Sequence, residues 1–279
     1  MVFLTHRAAV GALVAVLGAG GALAQPREVL RIVGTGSGAS ILQAVADAFE
    51  ASHPGAVVEV PPSIGSTGGV REVGVGREVL GRVSRPLTEE ERSYGLTWVP
   101  YAKNPVVFCA HPGVPVEDLS PEQLCAVYSG AVTNWQALGG PDLPIRVVRR
   151  EEGDSSYAIL RRFLPGFASV RVLSRARTAY SDPETLQVVA DTPGAIAFGA
   201  WGDARRAGLK VLTVAGRSPA DPDYPYAGTL ALVFRPEHYE GALRALVEFA
   251  TSPEAREALR RAGARPCGAP GRRKGGRQP

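Results

Sequence analysis

The sequence predicts an α/β fold in which most strands run parallel. Short apolar segments with strand character alternate with segments of helical periodicity along the chain. Three loops rich in glycine, serine and threonine each stand where a helix should begin, at residues 34–40, 63–69 and 149–156. In open α/β sheets such turns gather at the carboxyl ends of the strands, where ligands bind. The third loop follows a long intervening stretch, which indicates a second lobe facing the first.

Seven strands are predicted from short apolar runs bounded by turn residues. They are residues 29–33, 57–60, 105–110, 145–148, 195–198, 211–214 and 230–234. Apolar residues recur at helical spacing in the segments between them. The predicted helices are residues 40–51, a short helix opening at Thr67, residues 121–127, 155–164 and 183–190, and two closing helices from Pro236 and Pro253. Ser120 and Gln123 have the spacing of a capping box at the start of the helix 121–127.

Residues 1–24 are predicted to be a secretory signal peptide. Arg7 supplies the basic segment, an apolar run follows, and Ala22 and Ala24 form a small-residue cleavage site before Gln25. The alternative is a transmembrane helix, but the run is glycine-rich and barely long enough to span a bilayer. No cysteine follows the cleavage site, which argues against a lipid anchor, so the expected location is the periplasm.

The alkaline character of the chain lies mainly in its tail. The formal net charge is +4, and four basic residues fall in the last nine positions, GRRKGGRQP. Residues 267–279 are therefore predicted to be a basic disordered tail. The remaining body is close to neutral, which argues against nucleic-acid binding. Cys109, Cys125 and Cys267 show no CxxC or Cys/His spacing, so no metal site and no cofactor are predicted.

The three loops are suited to binding a small oxyanion. The start of a helix leaves backbone N–H groups without partners and carries partial positive charge. Glycine allows a ligand to approach the backbone, and serine and threonine add hydroxyl donors. Arg149 and Arg150 are the first two residues of the third loop, and strand alternation predicts that Arg150 points into the cleft and Arg149 away from it. Three such helix starts directed at one point would form an oxyanion cage.

Other interpretations of these loops are weaker. Gly34, Gly36 and Ala39, with Glu59 further on, match a dinucleotide-binding fingerprint. An exported protein, however, meets little nicotinamide cofactor. No stretch has the G-x-S-x-G pattern of a serine hydrolase, and no histidine or lysine is marked as a base, so no enzymatic activity is predicted. Each loop taken alone is also compatible with simple helix capping.

The motifs taken together resemble the periplasmic phosphate-binding proteins, which are the substrate-binding components of phosphate ABC transporters. The matching stretches, in order, are GTGSGAS, SIGSTGGVREV, VSRPLTEEE, LSPEQLCAVYSGAVTNW, VVRREEGDSS, GAIAFG, YPYAGTLALVF and FATSPEAREAL. The resemblance covers nearly all of the chain after the signal peptide. It implies a two-lobed periplasmic-binding-protein fold, each lobe a mostly parallel sheet flanked by helices, joined by two crossing strands.

Carried over residue by residue, the resemblance implies lobe boundaries and a phosphate site. Lobe one is expected over residues 25–100 and 227–266, and lobe two over residues 101–226, with hinge segments near 101–106 and 226–230. The implied phosphate-binding residues come from the three loops and from the turn that holds Ser84. They are Gly38, Ala39, Ser40, Ile41, Ser66, Thr67, Ser84, Arg85, Arg150, Gly153, Asp154, Ser155 and Ser156.

Two positions depart from the family pattern. Ser84 stands where some members have an aspartate that accepts the proton of phosphate, and Asp154 stands where the third loop has a serine. One hypothesis is that Asp154 accepts that proton and thereby excludes sulfate. The other is that Asp154 only caps the helix that begins at Ser155. The sequence leaves both open.

The predicted function is capture of inorganic phosphate between the lobes for delivery to the membrane permease of an ABC transporter, by a monomer. A binding protein for another oxyanion and a surface protein of this fold without a ligand remain alternatives. An exported phosphoester hydrolase is a third, less favoured alternative.

Overall fold

A computed structural model describes residues 27–267, within which the chain forms eleven strands and nine α-helices. The predicted signal peptide and residues 268–279 of the predicted tail lie outside the described residues. The strands are β1 (Glu28–Gly34), β2 (Ala56–Glu59), β3 (Leu80–Val83), β4 (Thr97–Ala110), β5 (Asp118–Leu119), β6 (Arg146–Arg150), β7 (Arg177–Ala179), β8 (Ala195–Ala200), β9 (Lys210–Val214), β10 (Ala227–Phe234) and β11 (Arg265–Pro266). The helices are α1 (Ala39–Ser52), α2 (Gly65–Gly74), α3 (Glu89–Arg92), α4 (Pro121–Ser129), α5 (Ser155–Phe163), α6 (Asp182–Asp191), α7 (Trp201–Arg206), α8 (Gly241–Thr251) and α9 (Ala255–Arg261).

Strand direction divides the sheet into parallel regions joined by antiparallel strands. The strand order is β2-β1-β3-β10-β4-β8-β6-β7, with β11 and β9 also paired to β4 and β5 paired to β9. The pairs of β1 with β2 and β3, of β6 with β7 and β8, and of β5 with β9 are parallel. Every antiparallel pair within residues 27–267 contains β4 or β10. The predicted α/β class is confirmed, and parallel pairing is confined to strands other than these two.

Side-chain alternation along the two long strands shows that the sheet has two buried faces in each lobe. In β10, Leu230 and Leu232 face the core built with α1, α8 and α9, whereas Ala231 and Val233 face a smaller cluster with Val70 of α2. In β4, Val106 and Phe108 enter the second lobe's main core, and Val107 and Cys109 face the opposite side. Since successive side chains of a strand point to opposite faces, helices cover both faces of each sheet.

β4 and β10 are the connections between the lobes. They pair with each other from Thr97–Phe234 to Pro105–Ala227, and the register shifts by a bulge between Leu230 and Ala231. The remainder of β4, Val106 to Ala110, pairs with β8 of the second lobe. The cleft between the lobes therefore opens directly over these two strands.

Several element boundaries differ from those that the sequence predicts. β4 begins eight residues earlier than expected, at Thr97. Pro100 discourages a strand prediction there, but the long-range partner β10 supplies the pairing. α2 begins at Gly65 rather than Thr67. The expected helix at Pro236 is a single turn, followed by α8.

Local capping signals are confirmed where the sequence is explicit. Ser120 and Gln123 form the expected reciprocal capping box at the start of α4.

Trp135 is fully buried, and its indole N–H donates to the Gly194 carbonyl, so it packs in the second lobe's main core. Cys109 is buried, whereas Cys125 is only half-buried, and Cys109, Cys125 and Cys267 are all free thiols. Within residues 27–267, none of the helices combines the length and apolar character needed to cross a bilayer.

Candidate functional site

A cleft of about 1220 Å³ lies between the two lobes and is lined by all three glycine- and serine-rich loops. Thr35, Ser40 and Ser66 line it from one side, and Asp154 and Ser155 line it from the other. These residues come from the starts of α1, α2 and α5, so three helix N-termini from two lobes share one cavity. Among the described residues, no cluster of three or more histidine, cysteine, aspartate or glutamate side chains has metal-binding geometry.

Most of the site residues expected from the sequence reach this cleft. Those that line it are Ala39, Ser40, Ser66, Thr67, Ser84, Arg85, Arg150, Gly153, Asp154 and Ser155. Gly38, Ile41 and Ser156 lie behind the cleft wall. Ile41 is buried in the first core, and Ser156 is also buried. These three residues are therefore not among those that the structure places on the cleft surface.

The first loop places the start of α1 at the cleft. Gly38 is the N-cap and has a left-handed conformation with φ of 72°, and no side chain caps this helix. A Cβ on Gly38 would lie 2.5 Å from Cδ1 of Leu230, so only glycine permits the loop to fold this closely over β10. Among the described residues, the N–H groups of Ser40 and Ile41 meet no hydrogen-bond acceptor. These two groups are available to an anion.

The second loop and the Ser84 turn present hydroxyl groups as donors. The Ser84 N–H donates to Ser66 Oγ at 3.3 Å, and the Arg85 guanidinium donates to Thr67 Oγ1 at 2.9 Å. A hydroxyl group that accepts such a bond still has its own proton to donate. α2, like α1, begins without a side-chain cap. The Ser66 and Thr67 hydroxyl groups are thus set up to donate to a negatively charged ligand.

Arg85 lines the cleft, but its charge is already matched. Both of its terminal nitrogens donate to Glu91, at 2.6 and 2.7 Å, and the Glu91 side chain is nearly buried. The hydrogen bonds from Arg85 hold the pKa of Glu91 below its ordinary value. Glu91 also closes the capping box of α3 with Thr88. Arg85 is therefore fixed rigidly at the cleft edge, where its contact to Thr67 orients that hydroxyl group.

Arg150 is buried among three carboxylates. It lies 3.4 Å from Glu151 and 3.2 Å from Asp154, and it also pairs with Asp182 at the start of α6. Burial disfavours the charged guanidinium, but the charges of Asp154 and Asp182 outweigh it and raise the pKa of Arg150. Arg149, by contrast, donates to Thr178 on the neighbouring strand β7. The alternation expected from the sequence is thus seen, and the cleft side of this strand is rich in acids.

Asp154 has two structural partners and an unusual ionisation. Its Oδ1 accepts the Tyr157 N–H at 2.8 Å, which makes Asp154 the N-cap of α5. Its Oδ2 lies 3.2 Å from Arg150. Burial raises the pKa of Asp154 to about 6, against the opposing effects of Arg150 and the Tyr157 N–H, and Asp182 and Glu151 add to the rise. The capping role is seen directly, and a second role as a proton acceptor stays a prediction.

Sequence reasoning missed several charged residues of the cleft. Lys103, Arg162, Asp182, Asp203 and Arg206 all line it. β4 has fourteen residues, and Lys103 is the only charged one among them. A single lysine in a strand of this kind is a feature by which the sequence could have identified it. Its Nζ donates to Thr229 Oγ1 on β10 at 2.6 Å, so it lies on the floor of the cleft between the crossing strands. Within the described part of the chain, neither Lys103 nor Arg162 forms an ion pair with a carboxylate.

The fold and the cleft define an α/β protein with two lobes and a cavity between them that is lined by hydroxyl and charged side chains. The family model described as "PBP superfamily domain" matches residues 20–254, and the chain belongs to this superfamily. The phosphate-binding protein PstS of Bacillus subtilis is 26% identical over 203 residues, covering 70% of this chain and 66% of the relative. PstS of Borreliella burgdorferi is 23% identical over 182 residues, covering 61% of this chain and 65% of the relative. The chain thus spans just under two thirds of the length of these curated relatives.

Solved structures support the same fold. A putative phosphate ABC transporter substrate-binding protein from Clostridium perfringens, with bound phosphate, has a TM-score of 0.74 and 24% identity. The match covers 86% of this chain and 100% of that protein. An ABC-type phosphate transport receptor from Vibrio cholerae has a TM-score of 0.63 and 22% identity, covering 85% of this chain and 99% of that one. These similarities confirm the two-lobed fold that the sequence predicts.

Proposed function

We propose that this protein captures inorganic phosphate in the interlobe cleft and delivers it to the permease of an ABC transporter. The observation that carries the proposal is the convergence of three helix N-termini with hydroxyl residues, from both lobes, on one cavity. Phosphate binding by the two PstS relatives supports it. No covalent step is involved in this function.

The ligand-binding groups are proposed from their availability. The Ser40 and Ile41 N–H groups at α1, the Ser66 and Thr67 hydroxyl groups at α2 and the Ser155 N–H at α5 have protons to donate. Hydrogen bonds to a charged acceptor are stronger than neutral ones, especially where water is excluded. Donors from both lobes would favour a closed form with the anion between them.

The acids around Arg150 support selection of a protonated oxyanion. Three carboxylates surround one guanidinium, so the local charge is negative, and it stays negative, though less so, when Asp154 carries a proton. A fully ionised anion such as sulfate would be repelled there. Hydrogenphosphate brings a proton that a carboxylate can accept, so Asp154 is proposed as the discriminating residue. This adds to its capping role rather than replacing it.

The lobe assignment and the location belong to the same proposal. Residues 25–100 with 227–266 form lobe one, residues 101–226 form lobe two, and the hinge lies in the crossing strands. The protein is proposed to be a periplasmic monomer released by cleavage of a signal peptide at residues 1–24. Mass spectrometry of the exported protein, which should begin at Gln25, tests the cleavage, and light scattering tests the monomer.

A melting scan against a series of oxyanions tests the function. Phosphate at a hundredfold excess over its dissociation constant should raise stability by about 2.7 kcal/mol. Sulfate should have no effect at neutral pH. A protein stabilised by molybdate or tungstate instead binds another oxyanion, and one stabilised by none has lost its ligand. Hydrolysis of a phosphoester would contradict a pure binding function.

Asp154→Asn tests the discrimination within that site. The amide side chain keeps the size and the capping ability but can donate a hydrogen bond to an anion. Sulfate binding should therefore appear in calorimetry. Unchanged phosphate affinity together with continued exclusion of sulfate would show that Asp154 is not the discriminating residue.

A further inference from the structure

The Ser40 hydroxyl group is bonded across the cleft to a carboxylate of the other lobe. Ser40 Oγ donates to Asp203 Oδ1 at 2.7 Å, and both residues line the cleft. Ser40 lies in the first turn of α1, and Asp203 lies in α7, whose Ala204 is buried in a core of the second lobe. The contact therefore joins the start of α1 to lobe two and uses the proton that a bound anion would need.

The backbone around Asp203 fixes this contact in place. A Cβ on Gly202 would lie 1.9 Å from the Ala262 carbonyl oxygen, and a Cβ on Gly263 would lie 2.3 Å from the Gly202 Cα. Two glycines thus allow α7 to touch the turn after α9 backbone to backbone. Arg206 strengthens the same junction, because it pairs with Asp203 and also donates to the Ala262 carbonyl at 3.4 Å. Asp203 is therefore held against Ser40 by the main chain.

In this geometry, Asp203 and an anion at Ser40 would need the same hydroxyl proton. A serine hydroxyl group has a single proton, so an anion oxygen must displace Asp203 to receive it. The Asp203 carboxylate, at hydrogen-bond distance from Ser40, also repels a negative ligand at that position. By contrast, the Ser66 and Thr67 hydroxyl groups receive hydrogen bonds from protein donors, and within residues 27–267 neither donates its own proton to an acceptor.

We propose that Asp203 is an intramolecular competitor for the anion at Ser40 and sets the affinity of the cleft. It accepts the Ser40 hydroxyl proton when no anion is bound; anion binding breaks this hydrogen bond, and the ion pair of Asp203 with Arg206 remains. The proposal rests on the proposed phosphate-binding function. It explains why an acid stands beside a serine at the start of α1, which an anion site would otherwise exclude.

Asp203→Asn is the decisive variant, because asparagine can still accept from Ser40 but has no charge. Calorimetric titration with inorganic phosphate should show affinity at least tenfold tighter than in the wild type, and the gain should shrink at high salt. Asp203→Ala, which also frees the Ser40 hydroxyl group, should tighten binding at least as much and serves if the asparagine variant folds poorly. Asp191→Asn, an exposed carboxylate at the end of α6, is the matched control and should stay within twofold.

The outcomes distinguish failure of the Asp203 proposal from failure of the proposed phosphate-binding function. If the wild type binds phosphate and both Asp203 variants bind no tighter, Asp203 is not a competitor and only this proposal is overturned. Weaker binding in the variants would overturn it too, since Asp203 would then assist the ligand. If neither the wild type nor the variants bind phosphate, the proposed function fails first.

A double-mutant cycle tests the contact itself without any ligand. Ser40→Ala and Asp203→Ala, each of which removes the shared hydrogen bond, are compared alone and together by urea unfolding in phosphate-free buffer. Non-additive free energies of unfolding are expected, because the two side chains share a hydrogen bond. Strict additivity would overturn the proposal even if affinity changed.

Discussion

The buried carboxyl of Asp154 makes stability depend on pH in a direction that can be measured. Its pKa lies near 6 instead of the ordinary 3.8 because burial disfavours the charged form. This pKa difference between the folded and unfolded states means that folding favours the protonated carboxyl over the ionised one by about 3 kcal/mol. Since the pKa is raised on folding, the stabilisation is fully present below pH 3.8 and is lost as pH rises through 6. Above pH 6 the native state contains an ionised carboxylate that folding has partly removed from water.

Asp154→Asn removes this titration and keeps a side chain that caps α5. The free energy of unfolding of the variant relative to the wild type should therefore rise by about 2 kcal/mol between pH 4 and pH 7, which is most of the full difference. Urea unfolding in phosphate-free buffer at several pH values measures it. The ion pair with Arg150 forms only when Asp154 is ionised, and its effect is already contained in the pKa near 6, which Arg150 lowers.

Asp154→Ser is the matched control for this experiment. Serine also caps a helix and has no charge, so its pH dependence should parallel that of the asparagine variant. A difference between wild type and variant that is the same at pH 4.5 and pH 7.5 would refute the reasoning. It would mean that Asp154 ionises in the native state as it does in the unfolded chain.

Two further substitutions test other parts of the site. Lys103→Met removes a cleft cation that has no carboxylate partner among the described residues. Calorimetry should show that phosphate affinity falls about tenfold or more and depends less steeply on salt concentration. Unchanged affinity would mean that Lys103 lies too far from the bound anion to interact with it. Gly38→Ala places a Cβ 2.5 Å from Leu230 at a residue with φ of 72°. Thermal unfolding should therefore show that the free energy of unfolding falls by about 1–3 kcal/mol. An unchanged melting temperature would contradict this steric argument.

The local features of the fold could be predicted because their causes are local. The capping box of Ser120 and Gln123, the apolar face of α1 and the alternation of Arg149 and Arg150 depend on neighbours a few residues apart. The first part of β4 could not be predicted in the same way, because its partner β10 lies far along the chain. Proline in that segment argues locally against a strand, and the tertiary pairing overrides it.

The candidate site shows the same division. Helix starts and hydroxyl residues mark the loops, so most residues expected at the cleft do line it. The acids that surround Arg150 and Ser40 were missed, because Asp182 and Asp203 follow the loops by many residues and reach the cleft only through the packing of α6 and α7. Sequence spacing contains no signal for a contact between Ser40 and a residue 163 positions away.

The charges of the cleft indicate how an anion could be selected there. The positive charge of Arg85 is compensated by Glu91, and that of Arg206 by Asp203. Arg150 is surrounded by more carboxylates than its single charge can neutralise. A cavity with so little excess positive charge cannot bind anions strongly by general attraction. Under the proposed function, affinity comes from hydrogen-bond donors with fixed directions, and the proposed role of Asp154 would supply the selectivity for a protonated ligand. Removing an acid from this cleft should therefore broaden the range of anions bound, and removing a donor should weaken binding of all of them.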